Sequence, residues 1–135
     1  MKKALLIITL AIICLSSCTS KEEKIAALYD QTNIALNNSD INQVLKNVTE
    51  ILTLDAQSAK AYFIRANCYV GMNKWKEAMD DYNKAVELKM MDPLLFANRG
   101  NLRKMMKDDN GACADWKQAE QLGATNLKEK TKFCQ

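Results

Sequence analysis

The chain has 135 residues, a formal charge of +3, 48% hydrophobic residues, five cysteines and no histidine. The missing imidazole excludes Ser-His-Asp and Cys-His catalysis and any zinc site built on histidine. Much of the positive charge sits at the N-terminus: without residues 1–17, which hold Lys2 and Lys3 and no acid, the charge falls to +1 and 118 residues remain. That is enough for one small core but offers no clustered basic footprint for nucleic acid.

Residues 1–17 read as a signal peptide. Lys2 and Lys3 form a positive leader, and Ala4 to Leu15 is an apolar run, too short for the ~20 residues that span a bilayer. The run ends in Leu15-Ser16-Ser17-Cys18, which resembles the lipobox of bacterial lipoproteins, whereas Cys14 lacks a small residue before it. The resemblance implies acylation of Cys18, and several acyl chains exceed the marginal anchoring of a single one. Residues 18–24 are then a lipidated tether. Ser20, with no aspartate after Cys18, resembles the sorting signal for the outer membrane of a Gram-negative bacterium. Lys21-Glu22-Glu23 resembles a surface-export signal. The expected location is the outer membrane, lipid-anchored, facing the periplasm or the cell surface.

Beyond the tether, the chain repeats itself. Tyr62, Ala66, Ala78, Tyr82, Ala85 and Leu88 superimpose on Phe96, Gly100, Ala112, Trp116, Ala119 and Leu122 at an offset of 34 residues. A fixed period of this length marks stacked units that bury their apolar faces on one another. Counting in 34s gives repeats at 59–92 and 93–126 and a degenerate one at 25–58, where Leu28, Val44, Val48, Ile51 and Leu54 hold the apolar positions. Each reads as two helices, because Tyr62, Ala66 and Tyr69, and then Ala78, Tyr82, Ala85 and Val86, are helical stripes. Asp40 and Asp92-Pro93 signal helix starts, and Gly123 a helix stop. Asn126 with Glu129 predicts a capping box for a last helix over 127–134, within a capping segment at 127–135.

Arg65 with Asp81 recurs as Arg99 with Asp115, while Gln31 and Asn47 stand at the same register in the first repeat. Both charges appear together or are replaced together by amides. Each pair is therefore expected to bridge the two helices of its own hairpin. Among Cys68, Cys113 and Cys134, at most one disulfide can form.

These motifs resemble the tetratricopeptide repeat. The second repeat fits as Tyr62-x-x-Arg65-Ala66-x-x-Tyr69 with Ala78-x-x-x-Tyr82-x-x-Ala85. The third fits as Phe96-x-x-Arg99-Gly100 with Ala112-x-x-x-Trp116-x-x-Ala119, and departs at Arg103, where an aromatic is expected. The resemblance implies an all-α fold of three helical hairpins, stacked as a short right-handed solenoid with a C-terminal capping helix. It also implies a concave groove lined by the first helix of each repeat. Its exposed stripe would be Tyr29, Asn33 and Leu36, then Lys60, Phe63, Asn67 and Val70, then Leu94, Ala97, Asn98, Asn101 and Lys104. Asparagine recurs as Asn33, Asn67 and Asn101, and its amide can hold the backbone of an extended peptide. A clamp for a free carboxylate is incomplete, since Tyr29 and Phe63 stand where lysine is wanted. The run Gly111-Ala112-Cys113-Ala114-Asp115-Trp116 with a late cysteine resembles closing repeats of this family. That likeness implies a Cys113–Cys134 disulfide, the alternative being two small buried side chains. Cys68 takes a place usual for alanine and is read as core.

The implied function is a membrane-anchored scaffold binding a protein or peptide of the cell envelope. The rival is an assembly or pilot lipoprotein of an outer-membrane complex for secretion or membrane-protein insertion. No enzymatic activity, cofactor, metal, nucleic acid or small-molecule substrate is expected.

Overall fold

The computed structural model describes residues 2–132 and 134, with side chains described from Ser20 onward. Cys14, Cys18 and the signal segment therefore have no described side chains, and the acylation of Cys18 lies outside what the structure describes. Among the described residues there are seven α-helices and no strand. They are α1 (Lys2–Asn37), α2 (Ile41–Leu54), α3 (Ala59–Gly71), α4 (Trp75–Glu87), α5 (Pro93–Met105), α6 (Asp109–Gln121) and α7 (Lys128–Thr131). The chain divides into two compact units, Met1–Ala56 and Gln57–Gln135.

In the first unit α1 and α2 form a hairpin. Val44, Val48 and Ile51 of α2 and Leu28 and Ala35 of α1 are buried at helical spacing, which closes one apolar face. The buried Thr32 hydroxyl donates to the Leu28 carbonyl at 2.7 Å, so this polar group is satisfied inside its own helix. The stretch from Ser20 to Lys24, read as a tether, is helical and continuous with the rest of α1. Lys21-Glu22-Glu23-Lys24 are all good helix formers, and nothing there breaks the run.

In the second unit α3 and α4 form one hairpin, α5 and α6 another, and the second rests on the first through α4 and α5. The two cores repeat in kind. Ala66, Ala78 and Tyr82 are buried with Leu102, and Phe96, Ala112 and Trp116 are buried with Ala85, Leu95, Ala119 and Leu127. Trp116 is larger than Tyr82, and its hairpin compensates at the facing position. A Cβ on Gly100 would lie 2.7 Å from Trp116 Cδ1 and Nε1, inside van der Waals contact. The place held by Ala66 beside tyrosine must be glycine beside tryptophan.

The turns repeat as well. Ser39, Asn73 and Lys107 close the hairpins, and Lys89 and Gly123 end their second helices, all with positive φ between 56° and 102°. The residue after each donates its N–H five positions back: Asp40 to Ala35, Lys74 to Tyr69, Met90 to Ala85, Asp108 to Arg103 and Ala124 to Ala119, at 2.9–3.1 Å. This is the Schellman arrangement that satisfies the last helical carbonyls. The helix starts use Asp40, Asp92 and Asp108, whose carboxylates accept from the N–H groups of Gln43, Leu94 and Gly111.

The last element is shorter than its sequence signals suggest. α7 has four residues, its N-cap position is Leu127, and no side chain caps it. The Asn126–Glu129 capping box is thus not formed. The buried Leu127 (3% exposed) enters the core at the point where the box would have placed a helical residue.

Candidate functional site

Both charged pairs are bidentate bridges inside their hairpins. Arg65 Nε and Nη2 donate to Asp81 at 2.7 and 2.8 Å, and Arg99 Nε and Nη2 donate to Asp115 at 2.9 and 2.7 Å. The hydrogen bonding of Arg65 to the Asp81 carboxylate raises the Arg65 pKa above its ordinary value, against the opposing effect of burial. Arg65 also lies between the rings of Tyr62 and Tyr69, with centroids 5.4 and 5.8 Å away. Arg103, the departure from the family pattern, takes the place of Tyr69. It puts Nη1 3.1 Å from Asp115 Oδ2 and donates to the Gly111 carbonyl at 3.1 Å. An aromatic lid in one hairpin is thus replaced by a second arginine on the buried carboxylate in the next.

The amide pair of the first hairpin behaves differently from the expectation. Asn47 Oδ1 accepts from Gln43 Nε2 at 2.7 Å, along its own helix, and its buried Nδ2 has no partner. Gln31 instead lines a small cavity with Ile34, Ala35, Asn38, Asp40 and Gln43. Two short-reaching amides do not replace the fork of an arginine on a carboxylate.

Four of the expected groove residues, Asn67, Val70, Asn98 and Asn101, converge in the second unit. Asn67, Asn98 and Asn101 line a cavity of about 280 Å³ with Val70, Tyr82, Leu102 and Met105. Asn67 Oδ1 accepts from the Tyr82 hydroxyl at 2.6 Å and from Asn98 Nδ2 at 3.0 Å. One period later, Asn101 Oδ1 accepts from Trp116 Nε1 at 3.2 Å and from Lys130 Nζ at 2.6 Å. Each asparagine is therefore oriented by the aromatic of its own hairpin and by one further donor. What Asn67 and Asn101 have left to offer is the amide NH₂, and what Asn98 has left is its oxygen and its second N–H. Donors from three amides and one acceptor oxygen beside the apolar Val70, Leu102 and Met105 suit a polypeptide backbone with an apolar side chain.

The other expected groove residues are placed elsewhere. Phe63 is half-buried against Tyr82, with ring centroids 6.2 Å apart, and belongs to the core wall. Lys60 and Leu94 are exposed in the first turns of α3 and α5, outside the cavity lining. Tyr29 and Asn33 lie on α1 in the first unit, half-buried and exposed respectively. Lys104 lines a neighbouring cavity of about 390 Å³ with Asp109, Cys113, Trp116 and Lys130.

Cys113 and Cys134 are joined by a disulfide, with Cα atoms 5.5 Å apart, and Cys68 is a buried free thiol. Burial pushes the Cys68 pKa up, which favours an inert thiol over a nucleophile. Among the described residues no cluster of acids and cysteines could hold a metal ion.

Residues 59–89 match the tetratricopeptide repeat family. No curated protein matches the chain in sequence. Similar solved structures include the first such domain of Spaghetti (RPAP3) bound to the HSP90 peptide SRMEEVD, at 20% identity, TM-score 0.72, covering 82% of this chain and 87% of that one. The Arabidopsis OM64 domain matches at 20% identity, TM-score 0.74, over 83% and 93%. The Yersinia enterocolitica type III secretion chaperone SycD, in complex with a peptide of the translocator YopD, matches at 14% identity, TM-score 0.69, over 82% and 86%. At these identities the likeness is one of fold: the seven helices follow the tetratricopeptide-repeat plan, with a terminal helix after the repeats.

Proposed function

We propose that this protein is a membrane-anchored scaffold of the cell envelope that binds a protein or peptide segment at the amide-lined cavity of its second unit. One observation carries the reading: Asn67, Asn98 and Asn101 meet at one cavity, with the acceptor oxygens of Asn67 and Asn101 already held from within. An amide whose orientation is fixed in advance loses little freedom on binding, so its remaining hydrogens are pre-organised donors. The peptide complexes among the similar structures support this use of the fold. The anchor in this reading is acylated Cys18, and the residues after it, Ser20 and Lys21-Glu22-Glu23, support the outer membrane, facing the periplasm or the surface.

The site is tested by photo-crosslinking in intact envelopes. A benzoylphenylalanine at Met105, which lines the cavity and is 47% exposed, is expected to give a discrete adduct. The same group at exposed Lys117 on α6 serves as the control. Adducts at both positions or at neither would move the site away from the cavity. An adduct that co-purifies with a large membrane complex favours the assembly role, and small soluble peptides favour a binding module. The anchor is tested by Cys18→Ser, which is expected to abolish acyl labelling and release the protein from membranes. Continued membrane attachment of that variant sinks the lipoprotein reading.

A further inference from the structure

The cavity beside the amide site forms where α7, at the end of the chain, meets α5 and α6 of the third repeat. Its floor is Trp116 and its walls are Lys104, Asp109, Cys113 and Lys130. Lys104 Nζ is paired with Asp109 at 2.9 Å. Among the described residues Lys130 has no carboxylate partner. Its two described partners are the Asn101 amide oxygen at 2.6 Å and the Trp116 ring, 5.5 Å from Nζ to the centroid. Both are uncharged. The cavity thus carries two ammonium groups and one carboxylate, and the surplus charge sits on a side chain held in place at two points.

That placement depends on the short terminal segment. Four helical residues are far too few to be stable alone. α7 is fixed at its start by the buried Leu127 and just past its end by the Cys113–Cys134 disulfide. Asn101 lines the amide cavity and accepts from Lys130, which lines the other, so one hydrogen bond links the two linings. A segment lying along the amides reaches the lysine next.

We propose that Lys130 and Lys104 over Trp116 form a cationic subsite that receives an acidic side chain of the bound peptide, and that the Cys113–Cys134 disulfide holds this subsite together. The proposal rests on the peptide reading above and names the chemistry of its ligand. The partner carries an apolar residue for the Val70–Leu102–Met105 side and an Asp or Glu a few residues along. A charge pre-positioned on neutral partners needs no existing ion pair to be broken when the carboxylate arrives.

The test uses the full-length, detergent-solubilised protein and two sets of fluorescein-labelled, end-blocked decapeptides. Each peptide holds one leucine and, at varied spacing, one glutamate; in the second set glutamine replaces the glutamate. Anisotropy titrations are expected to favour the best glutamate peptide over its glutamine twin by about fivefold, the size of one well-placed, partly exposed charge pair. The preference is expected to shrink at 0.5 M salt, where the Debye length falls to roughly 4–5 Å. Lys130→Met keeps the apolar stem on Trp116 but removes the donor that holds Asn101, so it is expected to erase the glutamate preference while weakening both sets of peptides by a common factor. Reduction of the disulfide should do the same. Equal binding of the two sets, or a preference that survives Lys130→Met, overturns the subsite while leaving the peptide site standing. Binding of neither set overturns both.

Discussion

At the residue scale, the buried charges and the ring hydroxyl carry the sharpest consequences. The Asp115 side chain is 4% exposed and receives both Arg99 and Arg103. Removing it alone strands Arg99, itself buried, whereas an apolar replacement of acid and arginine strands less. Asp115→Ala is expected to cost about 3–5 kcal/mol, and Asp115→Leu with Arg99→Met clearly less, in urea unfolding at neutral pH. Additive costs in that pair would mean that the bridge is not a unit. Tyr82 gives a pH signature. Burial raises its pKa above the ordinary 10.0, so the unfolded chain ionises first. Its contribution is complete below that value and drains away as pH rises beyond it. Unfolding free energy is expected to fall above pH ~10, and the fall to be smaller in Tyr82→Phe. That variant should also lose about 1 kcal/mol at neutral pH with the Asn67 hydrogen bond.

At the scale of the element, the turns are where the chain accepts strain. Lys89 and Lys107 hold φ of 64° and 65° at helix ends, where side chains with a Cβ are disfavoured by ~1–2 kcal/mol. Glycine at either place relieves this and gives part of it back through the freedom of the unfolded chain. Lys89→Gly is expected to raise stability by about 0.5–1 kcal/mol, and Gly123→Ala, at φ 102°, to lower it by about 1 kcal/mol. Thermal melts followed by circular dichroism distinguish the two signs. Gly100 follows another logic, since its constraint is the adjacent indole. Gly100→Ala must push Trp116 away from Asn101, which overpacking data place at about 1–3 kcal/mol.

At the scale of the whole molecule, the terminal disulfide closes a segment with a sequence separation of 21. Constraint of the unfolded chain by a loop of this size is worth roughly 3 kcal/mol. Reduced protein is therefore expected to unfold at lower urea, with Cys68 still resisting iodoacetamide while folded. Rapid native alkylation of Cys68 would contradict its burial.

Much of this organisation is legible in the residues themselves. The 34-residue period sets two helices per repeat, because a stripe at helical spacing has to be buried wherever it recurs. The charged pairs announced themselves through Arg65–Asp81 and Arg99–Asp115, which vary together with an amide pair inside one chain. The same logic failed for Gln31 and Asn47, because a shared register does not give amides the reach of arginine. It also read Asn126–Glu129 as a helix start where the buried Leu127 decides the local path. Sequence alone thus determined the paired helices of the repeats and the class of fold, which local spacing controls. Only the tertiary structure decided what the asparagines offer. Their oxygens are taken by Tyr82, Asn98, Trp116 and Lys130, which lie 15 to 31 residues away along the chain. A side chain's free hydrogen-bonding capacity is whatever its neighbours in space leave unused, and no local pattern records that remainder.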